Sequence, residues 1–207
     1  RYKGGIVSSV NSTTLKQAPA EAMVQLGECL KRIVYTLASH YDPNKPFVFA
    51  KVDIKDGFWR MKVSADAAWN FCYVLPAIKP VTNQDEIEIV VPSSLQMGWC
   101  ESPPYFCAAT ETARDVIDSL LNSSIPLSDH PFLPKMLEKC NMLPRLQATA
   151  FTTNLLEVFV DDFCALTNNL SRQHLEKFSK ALIVGIHLVF PPPELTKHQG
   201  EAKDEPG

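Results

Sequence analysis

The pair Asp161-Asp162 lies between two short apolar runs, LLEVFV (155–160) and FCAL (163–166), and no other feature constrains the fold as strongly. Two strand-length apolar segments split by two polar residues read as a β-hairpin with the aspartates at its tip. Adjacent carboxylates repel each other, in a turn that ordinarily favours Asn-Gly or Asp-Gly. A positive partner is therefore expected there. Asp53 ends another apolar stretch, FVFAKV (47–52). A divalent cation shared between the two tips would offset the repulsion.

The 207 residues suffice for one large domain or two small ones, and 45% hydrophobic content suits a packed core. A net charge of -3 and a pI of about 6.0 rule out a global basic field, so any contact with nucleic acid must rest on local cations. Six cysteines are scattered without a CxxC pair, which speaks against a zinc site or a secreted disulfide framework. They read as reduced thiols in an intracellular protein; cytoplasm, nucleus and virus-like particle are not distinguished. No apolar run reaches the ~18 residues of a membrane span, so no membrane partner is expected. A first residue other than Met and a polar end, GEAKDEPG, suggest a segment of a longer protein.

Met23, Leu26, Leu30, Ile33, Val34 and Leu37 recur at helical spacing, predicting an amphipathic helix over about 19–39 that stops before Pro43. Residues 47–54 alternate as a strand with Phe47, Phe49, Lys51 and Asp53 on one side. A further strand is predicted over Phe58–Val63, and NFCYVLP (70–76) with EIEIVVP (86–92) form a candidate hairpin. Ser102-Pro103 reads as a helix opening, the Ser accepting from an orphan N–H. That helix presents Phe106, Ala109, Ala113, Val116, Ile117 and Leu120 on one face. Four prolines break the pattern between about 122 and 150, as an insertion would. Ser171 is placed to cap a last helix with Leu175, Phe178, Leu182 and Ile186 inward, ending before Pro191. The mixture is α+β, a short antiparallel sheet packed on helices.

Three blocks fall in order along this frame: VDIKDGF (52–58), SLQMGWCESPPYF (94–106) and FVDD (159–162). Together they resemble motifs A, B and C of the palm of reverse transcriptases, the RNA-directed DNA polymerases of retroelements and retroviruses, and in particular retrotransposon polyproteins. The resemblance covers roughly residues 47–190. It implies part of the fingers with a connecting helix over 1–46, a palm over 47–190 interrupted at about 122–150, and a disordered tail over 191–207.

It also implies a site. Asp53 matches the motif A metal ligand, Asp161 the first aspartate of motif C, and Asp162 its less directly coordinating neighbour. The backbone carbonyl of Ile54 joins the set. In the family these groups hold two Mg²⁺ ions, with Mn²⁺ as an alternative, about 3.5 to 4 Å apart, where they stabilise the attacking and leaving oxygens of phosphoryl transfer. Phe58 matches the aromatic residue that closes over the sugar and excludes a 2′-hydroxyl, implying dNTPs rather than ribonucleotides as substrates. Gly98 would let the backbone approach nucleotide or template. Met97 stands where many relatives carry Gln, and Phe159 where Tyr is common; neither change removes a metal ligand. The implied partners are an RNA or DNA template with its primer. The rival expectation is a degenerate or domesticated palm that binds nucleic acid or protein without catalysis. Trp59 and Trp69 are expected in the core, and Cys100 and Cys107 as small apolar fillers.

Overall fold

The computed structural model describes residues 2–3, 6–75, 87–140 and 152–192. Their order is β1 (Tyr2–Lys3), β2 (Ile6–Val7), α1 (Val10–Thr13), α2 (Ala20–Ser39), β3 (Val48–Asp53), α3 (Ala65–Ala68), β4 (Tyr73–Val74), β5 (Ile89–Val90), α4 (Ser102–Asn122), α5 (Leu133–Cys140), β6 (Asn154–Phe159), β7 (Asp162–Thr167) and α6 (Arg172–Val189). Helices and small antiparallel sheets make it α+β. The central sheet runs β3-β7-β6, with β7 in the middle. Among the described residues, no helix is long and apolar enough to cross a membrane.

Alternation along the strands decides what the sheet buries. Val52, Phe163 and Val158 share a cross-strand row, as do Ala50, Ala165 and Leu156. All of these but the exposed Ala50 pack with Phe106, Ala113 and Ile117 of α4 and Phe178, Ala181, Leu182 and Ile186 of α6 in one core. The two helices meet at Gly185. A Cβ there would stand 2.3 Å from Ile117 Cγ1 and 3.3 Å from Ile117 Cα, so only glycine permits this approach. Ser171 caps α6 as expected, its Oγ accepting from the backbone N–H of His174.

Several expectations require correction. Phe58–Val63 is not a strand: Asp56 adopts a left-handed φ of 65°, and Gly57–Arg60 forms a turn of 3-10 helix, leaving Lys62 a lone bridge to Ser94. The dipeptide Asp56-Gly57 was itself the turn signal. The helix expected to open at Ser102-Pro103 does begin at Ser102, but Ser102 Oγ donates to the Gln96 carbonyl at 2.7 Å and caps no N–H. The Pro-rich stretch contains helix α5. Its residues 141–150 lie outside the described residues, as do 76–86 of the candidate hairpin and 193–207 of the tail. The described ends of that hairpin do pair, Tyr73 with Val90 and Val74 with Ile89.

Helix α2 forms where predicted but is rotated. Ala22 and Cys29 are buried, while Met23, Leu30, Val34 and Leu37 face outward. The rotation follows from a polar tie. Arg32 donates from Nε and Nη2 to the two carboxylate oxygens of Glu157, each at 2.6 Å, and Glu157 is only 2% exposed. Turning α2 to bury Leu30 and Val34 would strand that buried carboxylate without its counter-ion, a cost of about 3 to 5 kcal/mol.

Candidate metal centre

Strand register brings the carboxylates together. Asp53 stands directly opposite Asp162 across the β3–β7 pair, and Phe159 opposes Asp162 on the other side. The hairpin turn is therefore Val160 and Asp161 alone; Asp162 is the first residue of β7 rather than half of the tip. Val160 has a φ of 58° and Asp161 is not in the positive region. Positive φ at only the first central position belongs to a type II′ turn, where glycine is the usual occupant. A β-branched residue there costs on the order of 1 to 2 kcal/mol. The Ile54 N–H donates to the Asp161 carbonyl at 3.1 Å, fastening the turn to the end of β3.

One carboxylate oxygen from each of Asp53, Asp161 and Asp162 lies within 4.8 Å of the others, with Asp53 exposed and the other two half-buried. Gly57 lies flush against the group: a Cβ there would sit 3.5 Å from Asp161 Oδ2. Lost hydration, then repulsion from Asp161 and Asp162, raises the Asp53 carboxyl above the ordinary aspartate range, while Lys51 pulls it down. Lys51 also lies 2.7 Å from Asp162 Oδ2. This donor set fits a hard divalent cation. Three oxygen-donor side chains converge, and one ammonium is too little charge to balance them. The Ile54 carbonyl accepts from the Gly57 N–H at 3.2 Å, which uses one of its two lone pairs.

Phe58 joins this locus through the core, its ring centroid 4.8 Å from that of Phe106. Met97 and Gly98 belong to a second locus, the loop before α4. Met97 is 71% exposed, and Gly98 has a φ of 94° that favours glycine. Sequence reasoning missed what holds this loop. The Asn11 side chain donates to the Gly98 carbonyl and accepts from the Cys100 N–H, both at 2.9 Å. Trp99 Nε1 donates to Thr14 Oγ1, and Glu101 accepts from the N–H groups of Gln17 and Ala18. These two amides hold the Glu101 carboxyl below its usual range.

Lys51 was also missed as a site residue, although its position two before Asp53 on the same side of a strand was a visible signal. Arg60 is committed elsewhere, donating to the carbonyls of Phe190 and Pro191 at the end of α6. Trp59 and Trp69 are exposed rather than packed, each carried on a turn of 3-10 helix. Cys107 is a buried filler, whereas Cys100 is exposed.

No protein-family model matches this chain, and the search of the curated proteins finds no match either.

Proposed function

We propose that the chain is the palm, with adjoining fingers, of an RNA-directed DNA polymerase of retroelement type. The observation that carries this reading is the convergence of Asp53, Asp161 and Asp162 within 4.8 Å at the end of one sheet. The order of the three motif blocks supports it. Asp53 and Asp161 would hold the ions, with Asp162 at the margin. Two Mg²⁺ bound there supply Lewis-acid stabilisation of developing negative charge.

In the proposed reaction the primer 3′-hydroxyl oxygen bonds to the α-phosphorus of a dNTP. The bond to pyrophosphate breaks, and the hydroxyl proton passes to solvent. This chain's own groups orient those partners. The strained Val160 turn and the Ile54–Asp161 hydrogen bond keep Asp161 aimed toward Asp53. Phe58, braced on Phe106, offers an apolar edge without a partner for a 2′-hydroxyl.

The test uses the longest natural product that carries residues 1–207, assayed for primer extension on an RNA template. Extension should require Mg²⁺ and dNTPs, and Asp161→Asn should lower it by at least about 10²-fold. Undiminished extension by the variant would refute the assignment. The Lys51–Asp162 ion pair favours a second reading, a palm that binds nucleic acid or protein with its carboxylates silenced. Duplex binding without metal-dependent turnover in the same assay would select it.

A further inference from the structure

We propose that Lys51 is a tethered counter-cation that holds Asp162 when no metal is bound and is displaced by divalent ions, thereby weakening their binding. The inference rests on the metal reading of the carboxylate cluster and extends it to a residue outside the motif ligands. Lys51 and Asp53 are two apart on β3 and share a face. Cys164 is the residue opposite Lys51, and Asp162 opposite Asp53, so Lys51 reaches Asp162 across the diagonal of the ladder. Like charges directly opposite one another on antiparallel strands destabilise the pair. The diagonal ammonium offsets part of that repulsion, from 2.7 Å.

The position makes Lys51 a competitor. Its ammonium engages Asp162 Oδ2, one of the oxygens through which Asp162 could meet an ion, and it adds positive charge where a divalent cation would sit. Both effects oppose metal binding. Neither blocks it, since the Lys51 side chain is 54% exposed and can swing into solvent on its flexible stem. The exchange makes and breaks no covalent bond: a solvated divalent ion replaces an ammonium that becomes hydrated.

The experiment measures Mn²⁺ affinity by calorimetry, and melting temperature in chelator and in saturating Mn²⁺, for the 207-residue chain and its Lys51→Met, Lys51→Arg and Asp161→Asn variants. Lys51→Met should bind Mn²⁺ about three- to five-fold more tightly, the range of an exposed ion pair. It should also melt lower in chelator and gain more from Mn²⁺ than the unaltered chain. Lys51→Arg should behave as the unaltered chain. Unchanged or weaker Mn²⁺ binding by Lys51→Met, with the unaltered chain binding and Asp161→Asn not, would overturn the role of Lys51 alone. Absence of Mn²⁺ binding by the unaltered chain would remove the metal reading together with this inference.

Discussion

Glu157 and Asp162 project from the same face of the β3-β7-β6 sheet in successive same-face rows, yet their surroundings are opposite. Glu157 is buried and matched by a guanidinium through two hydrogen bonds. Burial, followed by the charge of Glu157, pushes the neighbouring Cys29 thiol up to about 11, as expected of a closed, dry environment. Asp162 sits half-open beside two further carboxylates, with one mobile ammonium among the three. The first cluster is balanced internally and has nothing left to bind. The second is left short of positive charge at an open sheet end, which is the arrangement a ligand-binding site needs and a structural one avoids.

The largest effect that separates the clusters should come from Arg32→Met. It strands Glu157 in the interior and should lower unfolding free energy by about 3 kcal/mol in urea denaturation, while Mn²⁺ affinity stays as it was. Equal stability would mean that the buried pair holds nothing together. Gly185→Ala sharpens the contrast by striking neither cluster. Its methyl collides with Ile117, so overpacking should cost about 1 to 3 kcal/mol by the same measurement, again with Mn²⁺ affinity intact.

Asp161→Asn should do the reverse, weakening Mn²⁺ binding at least about ten-fold, or ~1.4 kcal/mol, with stability equal or slightly raised because a repulsive neighbour of Asp53 is gone. Smallest is a pH effect. The folded chain holds the Asp53 proton more tightly than the unfolded chain does, so the folded state binds more protons across the carboxylate range. Stability from this site therefore falls as pH rises through that range, and the loss persists above it. Melting curves should show Asp53→Asn gaining on the unaltered chain as pH rises, and saturating Mn²⁺ should reverse the order, because the bound ion stabilises only the chain that keeps Asp53. A gain at low pH instead would reverse the assigned sign.

Local pattern carried much of this arrangement in the sequence. Apolar alternation located β3, short apolar runs located β6 and β7, helical spacing located α2, α4 and α6, and Ser171 marked a cap that forms. The aspartates were legible because Asp53 ends a strand, Asp162 begins one and Asp161 lies in the turn just before it. What escaped depended on partners distant in the chain. Arg32 and Glu157 are 125 positions apart, and nothing near either announces that their pairing sets the rotation of α2. Asn11 and Glu101 hold the loop before α4 through contacts that span 83 to 89 positions. The turn was misplaced by one residue for a different reason: positive φ at a valine contradicts local preference and is imposed by the strand register on either side.

The central claim is that Asp53 and Asp161 jointly hold a divalent ion. Anomalous diffraction from crystals of the chain soaked in Mn²⁺ tests it most directly. A strong peak between the two carboxylates, with the Lys51 ammonium drawn away from Asp162, is the predicted result. Mn²⁺ density that avoids this sheet end while occupying other acidic surface groups would contradict it.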